Sequence, residues 1–526
     1  MREGLSSPDH AIVAAFLLTV LGVGLRVSRK GESSAQDFLL ARRSLPWWAA
    51  TLSIIAAETS AVTYIGTPRM AFEGDWSFLQ LVLGFALGRV FLAAFLVPVL
   101  ARRDILTVYG YFEERFGGSV RTVAACLFVC GRAAGSAVRL YAGCLAVEVA
   151  TGFPLTASVL LLAAFALLYT WLGGLRAVVW TDVLLGLSLL AGGAVSAVWL
   201  AAGTPGGFAA LLSDPEIAAK TTVIRGGWSL GAPNVLAAGL LGGFFLTLAT
   251  HGTDQDVIQR VLSSRGRRGA SLSIFGSAVL ILPLMALFLS VGTLLYARCR
   301  AHPPGYPLPA NRDHLFPVFV VRELPPGIAG LVMAGLAAAA VSSFASVVNA
   351  LAATVANDFY RPLRARRGRD PSNRELYSVS RAATLFWGAA LAGLALSFHG
   401  SSDNVLNLAL KVLTYFYGAL LGAFLLAAFT RRGSPASLVA GMLASVLAVG
   451  ILQVQQFVAD PALAPASVRA ALEVLPSACA RWVRESVPAV AWPYWIVAGT
   501  AVSFSIGALG SKPRGNRAPR PAGPET

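Results

Sequence analysis

The feature that most constrains the fold is the recurrence of long apolar segments along nearly the whole chain of 526 residues. Hydrophobic residues make up 56% of the sequence and charged residues only 13%, which is more apolar material than a soluble core requires. About thirteen segments have the length needed to cross a hydrocarbon layer roughly 30 Å thick. The sequence therefore predicts an all-α polytopic membrane protein. The segments begin near Ala11, Leu45, Phe78, Val123, Phe153, Ala177, Val235, Leu272, Gly327, Leu376, Val405, Ala436 and Ala489.

Basic residues predict the orientation of these segments. Cytoplasmic loops collect Lys and Arg, so the basic connections place the N-terminus outside and the C-terminus in the cytoplasm of a multi-pass protein of the cell (inner) membrane. Membrane topology also accounts for the net charge of +16, and a nucleic-acid partner is not expected. The basic residues cluster in alternate connections, at 29–43, 102–121, 260–268, 361–369, 431–432 and 512–520.

Residue patterns typical of enzymes are scarce. The five cysteines have no metal-binding or redox spacing, and the five histidines form no metalloprotease or nucleophile motif. We therefore expect no enzymatic activity and no organic cofactor. The first apolar segment has no small-residue cleavage site after it and is expected to be a retained span. Residues 511–526 are rich in Pro and Arg and are expected to form a disordered tail.

The second apolar segment carries an acidic residue, Glu58, near its middle. A carboxylate at this depth costs a few kcal/mol, so Glu58 is expected to be protonated, paired or close to a bound cation. A salt bridge that only holds spans together is the structural alternative. Gly66, Thr67 and Pro68 follow and predict an interruption of the helix. The free carbonyls of an interrupted transmembrane helix can bind a cation.

A second interruption is predicted five spans later, in the sequence FFLTLATHGTDQDVIQR from Phe244 to Arg260. It again joins an apolar half to a polar, glycine-containing break. If the ten spans after the first form two repeats of five, both interrupted helices come first in their repeat. This arrangement is typical of secondary transporters with inverted repeats.

Two adjacent hydroxyl residues, Ser342 and Ser343, lie in the middle of another apolar helix. Each serine can return its hydrogen to a carbonyl one turn back, and these residues alone favour that interpretation. Two oxygens that face one point can also bind a small dehydrated cation. The residues by themselves leave both interpretations open.

Several segments taken in order resemble the sodium/solute symporter family, whose members have a LeuT-like fold. The resemblance implies thirteen spans and a 5+5 inverted repeat with extra flanking helices. It divides the chain into an extra span and loop at 1–44, a first repeat at 45–202, a second repeat at 203–432, two extra spans at 433–510 and a tail at 511–526. The matching segments are FLLARRSLPWW from Phe38, YTWLGGLRAVVWTD ending at Asp182, GTDQDVIQR from Gly252, AAAAVSSFASVVNA from Ala337, NDFYRP from Asn357 and YGALLGAFLLAAFTRR from Tyr417.

The resemblance also implies a sodium site. Sodium is a hard cation that prefers oxygen ligands, and no other metal is expected. Asp182 is implied on the cytoplasmic exit route of sodium, although an acid interacting with the N-terminal dipole of its helix is an equal alternative. The implied ligands are the backbone carbonyls of Ala56, Thr59 and Ala339 and the side-chain oxygens of Ser342 and Ser343.

The solute is less constrained by the sequence. Sugar-transporting members carry an asparagine and a lysine where this chain has Thr247 and Ile281, so a sugar is disfavoured. Arg132 and Arg139 share a helix face, where one could pair with Glu58 and the other with a substrate carboxylate. Salt bridges that serve packing, or snorkelling, are the alternative. The candidate solute-binding or gating residues are Glu58, Arg132, Arg139, Thr247, Thr250, His251, Lys411 and Tyr415.

These patterns predict a sodium-coupled symporter that imports a small organic anion or zwitterion by alternating access. A monocarboxylate, an amino acid, a vitamin-like carboxylate and an inorganic anion such as iodide all fit. A proton-coupled or uncoupled transporter of the same fold, or a transporter-like sensor, is left open. The expected partners are the solute, sodium and membrane lipid, and no required protein partner is evident.

Overall fold

The computed structural model describes a helical protein in which the two interrupted spans meet near the centre. It describes residues 4–28, 43–100, 108–170, 175–204, 206–209, 213–301, 308–399, 403–464, 466–474 and 476–510. No strand occurs in these ranges, where Leu45 and Ser264 form an isolated bridge. The predicted tail at 511–526 and most of the first basic loop lie outside the described residues.

The first half of the chain begins with a helix that precedes the first interrupted span. A π-helical turn, Leu92–Leu96, and a short helix, Val97–Leu100, continue α4. The helices are α1 (Ser7–Ser28), α2 (Trp47–Glu58), α3 (Ala61–Glu73), α4 (Phe78–Phe91), α5 (Val108–Phe116), α6 (Gly118–Thr151), α7 (Leu155–Thr170), α8 (Leu175–Ala202) and α9 (Pro215–Ala219).

The second half contains the second interrupted span and the helix with the serine pair. A π-helical turn, Val355–Tyr360, and a short helix, Arg361–Ala365, continue α14. The helices are α10 (Leu236–Gly252), α11 (Gln255–Leu262), α12 (Gly266–Ala301), α13 (Leu315–Glu323), α14 (Ile328–Thr354), α15 (Asn373–Ser397), α16 (Val405–Phe429), α17 (Pro435–Ala459), α18 (Ala466–Glu473), α19 (Ser477–Ser486) and α20 (Trp495–Ala508).

The helices have the length and apolarity of membrane spans. Among the described residues, nine helices meet both criteria, or eleven if each bent pair is one span. The predicted segments near Phe153 and Ala489 correspond to the shorter helices α7 and α20, with 16 and 14 residues. The integral membrane character is confirmed, whereas the count of thirteen crossings stays a prediction.

Both interrupted spans are sharply bent. The axes of α2 and α3 differ by 64°, and those of α10 and α11 by 69°. The first break lies at Thr59, which leaves the helical conformation with φ −83° and ψ 78°. The predicted interruption at Gly66 to Pro68 is therefore wrong, because these residues lie inside α3 with Pro68 in its interior.

The second break follows the predicted polar segment. α10 ends at Gly252, and Asp254 caps the N-terminus of α11 by accepting a hydrogen bond from the backbone N–H of Asp256 at 2.9 Å. A side-chain acceptor at this position satisfies an amide that the new helix cannot pair internally. The break thus places two buried carboxylates, those of Asp254 and Asp256, directly after the apolar helix α10.

The serine helix α14 packs closely against α6. A Cβ atom built on Gly143 of α6 would lie only 2.3 Å from the Cβ of Ala340 on α14. The missing side chain therefore lets the two backbones approach, as small residues do in membrane helix pairs. The contact lies on the same helix as Ser342 and Ser343, which line a small cavity together with Ala57 beside the first bend.

Candidate functional site

A central cavity of about 90 Å³ lies where the two bent spans meet. This volume holds roughly six to nine water-sized groups at about 10–15 Å³ each, which suits a small solute. Its wall combines apolar side chains, among them Phe85, Leu410 and Leu413, with a polar and charged group. The polar and charged lining residues are Glu58, Ser60, Thr63, Arg132, Arg139, Thr247, Thr250, His251, Asp254 and Asp256.

A second cavity of about 10 Å³ adjoins the serine pair. It has room for about one water-sized sphere, which suits a single ion. Ala57, Arg132, Arg139 and Asp256 line both cavities, so the two share a wall. The small cavity is lined by Ala57, Arg132, Arg139, Asp182, Asp256, Arg260, Ser342, Ser343 and Ser346.

The first bend presents oxygen atoms without ordinary helical partners. The N–H of Ser60 donates to the carbonyl of Glu58 at 3.1 Å, not to that of Ala56 as a continuous helix would require. The side-chain oxygens of Thr59 and Ser60 are buried and have no hydrogen-bond partner among the described residues. Buried polar atoms are normally paired, so these orphaned oxygens are consistent with a bound cation or solute.

Asp182 lies within α8 and is held by hydroxyl groups from two other helices. Ser53 donates to its Oδ2 at 2.6 Å and Ser342 to its Oδ1 at 3.0 Å. The guanidinium of Arg260 lies 3.2 Å from Oδ2. The partners of Asp182 are therefore side chains. The alternative, an interaction with the N-terminal dipole of its helix, does not describe this position, because Asp182 lies two turns inside α8.

Arg132 has two carboxylate partners. Its Nη1 lies 3.0 Å from Oδ2 of Asp254, and its Nη2 donates to Asp256. Tyr417 donates to the same Oδ2 of Asp254 at 2.6 Å, and Arg260 also pairs with Asp256. This buried network joins α6 to the second bend. The two carboxylates neutralise the charge of Arg132.

Glu58 is paired with Arg89 of α4, so the prediction that Arg132 or Arg139 could pair with it is wrong. His251 is close by, with its Nε2 3.6 Å from Oε2 of Glu58. That nitrogen is buried and has no hydrogen-bond partner among the residues that the structure describes. One side of the cavity therefore carries the partly exposed carboxylate of Glu58 and the ring nitrogen of His251, which can form a hydrogen bond with a solute.

Arg139 differs from the other arginines of the site. Its Nη1 donates to the backbone carbonyl of Ala57 at 3.0 Å, and within the described ranges no carboxylate forms an ion pair with it. Arg89, Arg132 and Arg260 each have an acidic partner. Arg139 is thus the arginine of this site whose charge is open to an anionic solute.

Two of the candidate solute-binding residues, Lys411 and Tyr415, lie outside both cavities. The three residues implied to bind sodium through their carbonyls, Ala56, Thr59 and Ala339, are also absent from both cavity walls, whereas Ser342 and Ser343 line the small one. Lys411 is 4% exposed and pairs with Asp403 at 2.6 Å. The ring of Tyr415 lies beside that of Phe416, with their centroids 6.1 Å apart. Neither side chain is part of the wall of either cavity. The geometry gives Lys411 a structural partner, whereas Thr247, Thr250 and His251 do line the central cavity.

The structure adds site residues that sequence reasoning did not select. Three of them, Asp254, Asp256 and Arg260, lie in the GTDQDVIQR segment, which indicates the second bend and contributes to the family resemblance. Three charged residues within nine positions of a membrane-spanning segment indicate a functional site, since charges within membrane helices are costly and are commonly functional. Arg89, a basic residue within an apolar span, also indicates a need for a counter-charge, but the sequence does not show that its partner is Glu58 or that Tyr417 bonds to Asp254.

Comparisons with known proteins agree with this architecture. The statistical model of the sodium:solute symporter family matches residues 38–445. The chain is 28% identical to the sodium/sialic acid symporter of Proteus mirabilis over 84% of this chain and 88% of that protein. It is 30% identical to the sodium/glucose cotransporter of Vibrio parahaemolyticus, with 85% of each chain covered.

Solved structures show the same fold. A Na⁺-coupled sialic acid symporter in a substrate-bound outward-open state superposes with a TM-score of 0.79, at 22% identity and with 96% of this chain and 97% of that chain covered. Mhp1, a nucleobase-cation-symport-1 family transporter in a closed conformation, gives a TM-score of 0.52 at 15% identity, with 89% and 98% covered. The predicted all-α, LeuT-like fold class is confirmed.

Proposed function

We propose, from the premise that this chain belongs to the sodium:solute symporter family, that it imports a small organic anion or zwitterion together with sodium. The observation that carries this proposal is the pair of cavities at the first bend. One has the size of a single ion and is lined by Ser342 and Ser343, and the other has the size of a small solute. The family and the fold are those of transporters rather than enzymes.

The proposed sodium ligands are the carbonyls of Ala56, Thr59 and Ala339 and the hydroxyls of Ser342 and Ser343. Neutral oxygens bind sodium weakly enough to release it. The site is supported by the missing helical bond to Ala56 and by the two serines in the wall of the small cavity. Asp182 accepts a hydrogen bond from Ser342 and is proposed to receive sodium on its way to the cytoplasm.

The proposed solute site is the central cavity. Arg139 would bind a carboxylate, and Glu58, Thr247, Thr250 and His251 would contact the rest of the solute. Relatives that match over 83–84% of the chain are named as transporters of monocarboxylate and multivitamin, and others as sialic acid symporters. These names support an anionic solute. Arg132 would act indirectly, by fixing the second bend through Asp254 and Asp256.

Alternating access would arise from two repeats that rock about this site. We propose that residues 45–202 and 203–432 are these repeats, since each begins with a bent span. The N-terminus is proposed to lie outside and the C-terminus inside. Each sodium ion that moves inward releases about 2.3 kcal/mol per 100 mV of inside-negative potential. This free energy would drive accumulation of the solute.

Uptake into proteoliposomes tests the proposal. The purified protein would be given labelled sialic acid, lactate, biotin, proline, glucose and iodide, with an inward sodium gradient, with an inward proton gradient, or with neither. We expect a sodium gradient to stimulate uptake of one of the carboxylates. Uptake that responds only to a proton gradient would favour proton coupling, and uptake of none would favour a sensor. Either result would contradict sodium symport.

A further inference from the structure

Arg139 connects the two cavities through a backbone carbonyl. It lines both the central cavity and the small cavity, and its Nη1 donates to the carbonyl of Ala57 at 3.0 Å. Ala57 lies between Ala56 and Thr59, whose carbonyls are the proposed sodium ligands. The guanidinium therefore fixes the backbone between the two proposed ligand carbonyls.

The charge of Arg139 also acts on the small cavity. Arg132 and Arg260, which line the same cavity, are each paired with carboxylates, namely Asp254, Asp256 and Asp182. The three arginines are balanced in number by the three carboxylates, and Arg139 is the arginine that no carboxylate contacts within the described residues. Like charges in a site of low dielectric repel strongly, so its guanidinium opposes entry of a cation beside Ser343, and loss of its charge would leave the network with a net negative charge.

We propose that Arg139 is the residue that couples solute binding to sodium binding. An anionic group of the solute that pairs with the guanidinium neutralises it, and the repulsion on sodium in the small cavity falls. Bound sodium in turn makes binding of the solute's anionic group more favourable. This inference rests on the proposed function and adds to it an electrostatic route between the two sites, which thermodynamic linkage requires to act equally in both directions.

Sodium titration without any solute tests this role. The probe is sodium chloride, with total chloride held constant by choline, and the readout is the sodium-induced rise in melting temperature and change in tryptophan fluorescence. We expect Arg139→Gln to bind sodium about five-fold or more tightly than wild type, the low end of typical coupling between sites. The glutamine keeps an N–H donor for the Ala57 carbonyl but removes the charge.

Arg139→Lys separates charge from simple packing. It keeps the positive charge, so sodium affinity should stay within about two-fold of wild type, as electrostatic coupling requires. A residue with a merely structural role would weaken sodium binding in both variants. Unchanged or weaker sodium binding by a folded Arg139→Gln protein would overturn the inference.

A remote charge provides the control. Arg298→Gln removes the same net charge in α12, where Arg298 pairs with Glu323, and should leave sodium affinity unchanged. A wild-type protein that shows no sodium response would refute sodium coupling itself, and the inference with it. A wild-type protein that responds to sodium together with an unaltered Arg139→Gln response would refute the inference alone.

Discussion

Glu58, the last residue of α2, accepts a hydrogen bond at Oε2 from the guanidinium of Arg89 on α4. Arg89 is fully buried and also donates to the carbonyl of Ser277 on α12 at 2.9 Å. The pair therefore fixes the end of the first half-helix to two neighbouring spans. Glu58 retains 25% of its side-chain exposure, and that exposed part faces the central cavity.

Removing one member of this pair should destabilise the protein strongly. Glu58→Gln leaves the Arg89 charge buried without its carboxylate, at an expected cost of about 3–5 kcal/mol. We expect a lower melting temperature and a smaller monodisperse fraction after size-exclusion chromatography. The double variant Glu58→Gln with Arg89→Met should recover part of the loss. A single variant as stable as wild type would contradict a structural role for the pair.

Ser343→Ala should weaken sodium binding without unfolding the protein. The loss of one of five oxygen ligands is expected to reduce sodium affinity about ten-fold, since a hydrogen bond or ligand of this kind contributes roughly 1.4 kcal/mol. Sodium-dependent thermal stabilisation measures the change. Ser290→Ala is a matched control, because Ser290 donates only to the Leu287 carbonyl of its own helix at 2.7 Å. Equal sodium affinity in the two variants would remove Ser343 from the site.

Lys411 should act through stability and not through solute affinity. Lys411→Met removes an ion pair with the buried carboxylate of Asp403, so we expect a loss of about 3 kcal/mol. Adding Asp403→Asn should restore part of it. Uptake assays of the surviving protein should give an apparent solute affinity within about two-fold of wild type, since Lys411 lines neither cavity. A large change in solute affinity alone would return Lys411 to the solute site.

A buried carboxylate outside the spans predicts a pH dependence of stability. Asp313 lies in the 3-10 turn Arg312–His314, 3.2 Å from Arg69. Burial raises the pKa of Asp313 to about 6 from its ordinary value of 3.8, although Arg69 opposes this shift. The native state therefore binds the proton more tightly than the unfolded chain. This contribution is present at low pH and is lost as the pH rises from about 4 to about 6.

The variant Asp313→Asn cannot titrate and isolates this contribution. The stability of wild type relative to the variant should fall as the pH rises through that window, by at most about 3 kcal/mol at 1.36 kcal/mol per pKa unit. Melting temperatures of both proteins between pH 4 and pH 7.5 measure the difference. Two parallel curves would show that the Asp313 carboxyl has an ordinary pKa.

The sequence predicted the helices better than the first bend. All of the predicted apolar segments correspond to helices among the described residues, because span length and hydropathy are local properties. The sequence predicts the first bend at Gly66 to Pro68, because proline cannot continue a regular helix, whereas the bend lies at Thr59. Pro68 is instead accommodated within α3, as neighbouring helices in a membrane protein permit.

The sequence by itself determined the membrane class, the family, the presence of two interrupted spans and the serine pair, because each depends on residue types and their order along the chain. Only the tertiary structure decided which charges are paired. Arg89 pairs with Glu58, Lys411 pairs with Asp403 and Arg139 donates to a backbone carbonyl. These contacts depend on how each helix is rotated and on how closely the helices approach. Such approach is set by packing between segments, as at Gly143 and Ala340, which no single segment encodes.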